Sequence, residues 1–153
     1  MDNLYGFYQV TDKIKTTLEA DDFVNTVTYG DIFQVDLNKQ TIFPLSHMVV
    51  NSATKENNVM RFNFSVIAMD IVNISKSATT NAFRKNDNEQ DVLHTQLAVL
   101  DRMTEMLRRG GDDNLWQLGN DPTFEAFTER FENFLAGWAC TFDLIVPNQM
   151  TKC

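Results

Sequence analysis

Met60 to Val72, MRFNFSVIAMDIV, is the stretch whose reading decides the fold. Side chains on a strand alternate between faces, so Met60, Phe62, Phe64, Val66 and Ala68 share one side. Arg61, Asn63 and Ser65 hold the other side until Ile67 and Met69 take it over. The pattern predicts a strand that is polar on one face in its first half and buried on both faces in its second. Upstream, Ile42-Phe43-Pro44-Leu45 leading into Ser46-His47-Met48-Val49-Val50 predicts a partner strand, with Pro44 at its start where no ladder donor is lost. Between them the polar run Asn51 to Asn58, NSATKENN, predicts the loop of a long antiparallel hairpin arm.

Working outward, Leu4, Phe7, Tyr8, Ile14 and Leu18 recur at helical spacing from Asn3 to about Ala20, with Lys13, Lys15, Thr16 and Glu19 largely opposite. This predicts an amphipathic first helix. Val27, Tyr29 and Ile32, set among Thr, Gly and Asp between Asn25 and Gln34, predict a short strand turning at Gly30-Asp31. The polar segment Asn73 to Asn86 reads as a long surface loop or arm. Asp87, with Gln90 three residues on and Glu89 and Asp91 in the first turn, predicts the cap of a second helix. Val92, Leu93, Leu97, Leu100, Met103 and Leu107 form that helix's apolar stripe, Arg108-Arg109 complement its carbonyl end, and Gly110-Gly111 stop it. After a loop from Asp112 to Pro122, Phe124 to Phe131 and Gly137 to Val146 read as strands around a turn near Asn133 to Ala136. In the latter Trp138, Cys140, Phe142, Leu144 and Val146 alternate strictly, and Pro147 ends the run. The order predicts a single α+β domain over residues 1–153, with an antiparallel or mixed β-sheet, two α-helices packed on one face and a long β-hairpin arm.

The 153 residues carry 13 Lys plus Arg against 21 Asp plus Glu, a formal charge of −8. That balance disfavours a general grip on the phosphate backbone, which depends on clustered cations releasing counterions. With 43% hydrophobic residues and twelve Phe, the chain can bury a substantial core. The opening MDNLYGFYQVTDKIK lacks the basic stretch and apolar run of a secretory signal, and no window reaches the roughly eighteen apolar residues of a membrane span. Two cysteines, Cys140 and Cys153, form no Cys-x-x-Cys or Cys/His set, which fits a reducing compartment. The sequons at Asn63 and Asn73 carry no meaning without export.

Candidate chemistry is sparse. Asp87, Glu89 and Asp91 have the spacing that opens a calcium loop, but Val92 stands where its glycine would be, and helix-start acids explain them. His47 and His94 are the two histidines, and neither has a second metal ligand nearby in sequence. Gly30 and Gly110-Gly111 lack the spacing and lysine of a phosphate-binding loop, and Cys140 lies on an alternating apolar face, where thiols are inert. Arg84, Lys85, Arg108 and Arg109 read as solvated charge and dipole compensation. We therefore assign no catalytic residue, no cofactor-binding residue, no metal site and no cofactor.

The segments VNTVTYGDIFQVDLNKQTIFPLSHMVV, FNFSVIAMDIV, NDNEQDVLHTQLAVL and FENFLAGWACTFDLIVPN resemble those of small virion proteins of tailed bacteriophages, in particular the tail-terminator or tail-completion proteins. The resemblance runs over nearly the whole chain in the order helix, strands, helix, hairpin. It implies a structural protein, not an enzyme, that associates with itself as a ring, usually a hexamer. Such a ring caps the finished tail tube, joins it to the neck or head-completion proteins, is assembled in the host cytoplasm and resides in the virion. DNA would meet it only as passing cargo, and membrane not at all. A neck ring or a tail-tube subunit shares this size and order. Two readings of other classes stand beside it: a small intracellular enzyme using His47 or His94 as a base, and an acidic module that sequesters a basic partner.

Overall fold

The computed structural model describes residues 5–30, 42–72, 88–109, 116–130 and 135–147. Its elements are α1 (Tyr5–Glu19), β1 (Thr26–Tyr29), β2 (Leu45–Glu56), β3 (Val59–Ile71), α2 (Glu89–Arg108), β4 (Gln117–Leu118), β5 (Thr123–Arg130) and β6 (Leu135–Pro147). The fold is α+β, and its described residues form six strands in one mixed sheet of order β1-β2-β3-β6, with both β4 and β5 pairing the outer side of β6. Among the described residues only the β1–β2 pair is parallel.

The decisive strand is the middle of this sheet. β3 pairs β2 from Met69 opposite Leu45 to Val59 opposite Glu56, and pairs β6 from Ile71 opposite Leu135 to Val59 opposite Pro147. Phe62, Phe64, Val66 and Ala68 are all buried, in one core cluster with Val10, Ile14 and Leu18 of α1 and Val99, Leu100, Met103 and Leu107 of α2. The sheet supplies Met48, Cys140, Phe142, Leu144 and Val146 to the same cluster, which holds most of the buried hydrophobic residues among those described. On the opposite face, Leu45, Met69 and Leu135 form a second cluster with Phe43 and Phe127, against which Ile67 and Ile71 pack.

One expectation is overturned. Asn51 to Glu56 is not loop but the continuation of β2, and only Asn57-Asn58 turns the chain, Asn58 at φ 60°. This half of β2 is exposed on both faces and carries no large apolar side chain, and the ladder to β3 pairs one edge of its backbone. A register shift between Val50 and Ser52 displaces Asn51 from direct pairing. The loop expected from Asp112 to Pro122 likewise contains the short strand β4.

Other boundaries move slightly. β6 starts at Leu135, inside the expected turn, and Pro147 ends it as expected. α2 begins at Glu89 with Asn88 in the cap position, and Asn88 makes no side-chain bond to the helix but donates to Ile71 O at 3.4 Å. Asp87, the expected cap, lies outside the described residues, as do Asp31 to Gln34, the Asn73 to Asn86 segment and Gly110-Gly111. Within α2 the buried stripe includes Gln96 and Thr104, while Leu93 and Leu97 are half-buried. The tryptophans tie strands and loops to this helix: Trp138 Nε1 donates to Leu93 O at 2.8 Å and Trp116 Nε1 to Leu107 O at 3.2 Å.

Candidate functional site

His47 is fully buried on β2, on the sheet face away from the main core. Its Nε2 lies 2.6 Å from Gly30 O and its Nδ1 2.6 Å from Thr28 Oγ1. A carbonyl can only accept, so Nε2 carries a proton, and in the neutral ring Nδ1 then accepts the threonine hydroxyl. Both nitrogens are thereby occupied in holding the end of β1 to β2, which is a positioning duty and not the arrangement of a general base. His94 is exposed on α2. No group of three or more His, Cys, Asp or Glu among the described residues is placed to hold a metal ion.

The remaining residues singled out by sequence are dispersed. Glu89 and Asp91 sit in the first turn of α2, where the helix dipole favours acids. Arg108 at the other end lies 3.8 Å from Glu105, and Arg109 occupies the carboxyl-terminal cap. Arg84 and Lys85 lie outside the described residues. Cys140 is buried in the main core, where loss of solvent pushes its thiol up to about 12, far from the thiolate that nucleophilic chemistry needs. Among the described residues, no helix is long and apolar enough to cross a membrane.

Two surfaces emerge that side-chain motifs do not reveal. The first is a polar ladder across β2, β3 and β6 on the face opposite the helices. Asn51 Nδ2 donates to Asn63 Oδ1 and to Ser65 Oγ, both at 2.8 Å, and Asn63 Nδ2 donates to Asp143 Oδ1 at 2.6 Å. Ser65 and Thr141 share a hydroxyl contact at 3.1 Å. Arg61 spans Glu56 at 2.7 Å and Asp143 at 3.4 Å, and a Cβ on Gly119 would overlap its guanidinium. The hydrogen bond to Glu56 contributes most to raising the Arg61 pKa. The groups pair with one another, leaving a hydrated surface whose donors are largely spent.

The second is a groove of about 530 Å³ between α1 and β1, lined by Phe7, Tyr8, Lys15, Val27, Tyr29 and Met48 among others. Tyr8 and Tyr29 are more than half exposed, at 55% and 56%, and flank it. Among the described residues its strand wall is the sheet's edge, since there β1 pairs only with β2. A second hollow, between the end of α1 and α2, is lined by Leu18, Asp21, Phe23, Val99, Arg102 and Met103. Arg102 closes it with two hydrogen bonds to the Asp21 carboxylate, at 2.7 and 3.0 Å.

Sequence reasoning misses the groove because its walls come from elements that each look ordinary: an amphipathic helix and a four-residue strand. No local signal announces it: Tyr8 reads as part of the helix's apolar stripe and Tyr29 as a strand residue, and their exposure is seen only in the folded chain. Comparison with models of known protein families finds none that matches the chain, and comparison with characterised proteins finds no significant relative.

Proposed function

We propose that this chain is a structural virion protein of a tailed bacteriophage, a ring-forming subunit that closes the end of the tail tube and presents the surface to which the head or neck docks. The observation that carries the reading is the likeness of four long segments to tail-terminator proteins, in the order helix, strands, helix, hairpin. The described elements run in that order. Two features fit the role. An edge groove with exposed tyrosines is suited to contact between subunits. A polar sheet face whose side chains bond one another, on a chain of charge −8, offers passing DNA little to hold.

The test is deletion of the gene from the phage that carries it, followed by electron microscopy of the lysate. Overlong tails, or tails with unfinished ends that stay unjoined to filled heads, restored by adding the purified protein, are the expected result. Normal tails on filled heads would sink the reading. Unjoined heads beside tails of normal length and finished ends would move the chain to the neck ring, and absence of tubes altogether would make it the tube subunit.

A further inference from the structure

We propose that the outer edge of β1, together with the groove under α1, receives strand β5 of a second copy of this chain, continuing the sheet from one subunit into the next. The junction deepens the ring reading above and, as a ring contact, rests on it. Its own basis is the direction of backbone and side chains at the two ends of the sheet.

At the β1 end, Thr26 N donates to Pro44 O at 3.3 Å and Gly30 N to Met48 O at 3.0 Å. Alternate residues of a parallel strand point their N–H and C=O to the same side, so Thr26, Thr28 and Gly30 face β2 while Val27 and Tyr29 face outward. Among the described residues neither Val27 nor Tyr29 has a backbone partner on that outward side. Two outward residues supply up to two donors and two acceptors, the unmet demand that an added strand satisfies. Their side chains lie on the helix side of the sheet, Val27 opposite Ser46 and Tyr29 opposite Met48, and both line the groove.

At the other end β5 pairs, among the described residues, only with β6. Phe124 is opposite Cys140 and Ala126 opposite Trp138, so these two apolar side chains stand on the helix side, with Thr123 and Glu125 on the other. The two edges therefore match face for face: Phe124 and Ala126 would continue the apolar row of Val27 and Tyr29, and Thr123 and Glu125 the polar row of Thr26 and Thr28. Strand polarity also matches. β1 runs with β2, β3 against it, β6 with it and β5 against it, so β5 of one copy meets β1 of an identically oriented copy antiparallel. Because donor and acceptor edges are different surfaces, the contact is head-to-tail and closes into a ring when the rotation permits. Each subunit carries −8, so salt strengthens the association by screening mutual repulsion.

The experiment is light scattering of the purified full chain and two variants over a concentration series, at low and high salt. Val27→Pro removes an outward donor without touching the β1–β2 ladder, since proline is tolerated where an edge N–H faces solvent. Ala126→Lys places a charge on the exposed helix side of β5, where loss of folding is least expected. The wild type should form a closed oligomer, more completely at high salt, and each variant alone should remain monomeric. Mixed, the two should give a 1:1 heterodimer through the one junction both leave intact, β1 of Ala126→Lys with β5 of Val27→Pro. A wild type that stays monomeric at every concentration and salt overturns the junction. So does an Ala126→Lys variant that still dimerises, which would show β1 pairing with β1. If Val27→Pro fails to fold by circular dichroism, Ala126→Lys alone decides between these outcomes. Rings that form through this junction but leave tail length and joining unaffected would fail the tail-closing reading and keep the junction.

Discussion

The Nε2 of His47, buried in β2, holds the carbonyl oxygen of Gly30 at 2.6 Å, just past the end of the edge strand β1. Its other nitrogen takes the hydroxyl of Thr28, so one imidazole bonds two points of β1 and its exit. A four-residue parallel pair is a weak unit by itself. His47 therefore fixes the edge strand laterally, on the face opposite the groove that Val27 and Tyr29 line. Replacing it by alanine removes both bonds and leaves a cavity under β1. His47→Ala should cost about 2–4 kcal/mol in urea unfolding. Amide exchange should accelerate first at Thr26, Thr28 and Gly30, whose N–H groups face β2. An unchanged midpoint would mean that β1 is held by its ladder alone.

Cys140 lies in the main core, directly opposite Val66 across the β3–β6 pair. Burial pushes its thiol up to about 12, so at neutral pH it is neither ionised nor reachable. In a Cys153→Ser background, a thiol reagent should not label the native protein within hours and should label one group at once in denaturant. Rapid labelling of the native state would place Cys140 in a region that opens locally.

Asp21 and Asp70 give acid stability contributions of opposite sign. Burial pushes the Asp21 carboxyl up, but hydrogen bonds from Arg102 and the Phe23 amide, with the guanidinium charge, outweigh it and hold the group below the ordinary value of 3.8. Its contribution is complete above the unfolded value and disappears as pH falls through the depressed folded value. Because Arg102 is half exposed, Asp21→Asn should cost only about 0.5–1 kcal/mol at neutral pH. The cost should vanish at strongly acid pH. Burial raises the pKa of Asp70, against the opposing Ile71 amide, so stability declines as pH climbs from the unfolded value through the raised folded one. Asp70→Asn should therefore raise the neutral-pH midpoint and flatten the profile just above 3.8. A lower midpoint for Asp70→Asn would show that the charged carboxylate is doing structural service.

The elements legible in sequence were those whose pattern is one-sided. The strict alternation of Phe62, Phe64 and Val66, and of Cys140, Phe142 and Leu144, is buried as the period requires. α1 and α2 follow their apolar stripes within two or three residues. What stayed hidden depends on partners distant in sequence. Asn51 to Glu56 has the composition of a loop because neither face is covered, and only its ladder to β3 makes it a strand. The polar ladder joins Asn51, Asn63 and Asp143, the last 80 positions from Asn63, so no local spacing announces it. His47 looked like an unplaced histidine because its partners, Thr28 and Gly30, belong to the short parallel strand and its exit.

Gly137 offers the sharpest test of how closely the central strands approach. It stands opposite Met69 of β3 on one side and Phe127 of β5 on the other. A Cβ built there would overlap the carbonyl oxygen of Ala68 and lie 2.8 Å from Met69 Cα. Both are backbone atoms, so no side-chain rotation relieves the contact, and β6 cannot retreat from β3 without pressing on β5. Gly137→Ala should destabilise the fold by about 3 kcal/mol, the upper range for overpacking a well-filled site. The same added methyl on the flank of the sheet, as Gly119→Ala, meets the Arg61 guanidinium at the end of a flexible side chain. That substitution should displace the Arg61–Asp143 contact at a cost below about 1 kcal/mol. Denaturant unfolding of the two variants checks the ordering, and a Gly137→Ala protein as stable as wild type would mean that β3 and β6 lie farther apart than described.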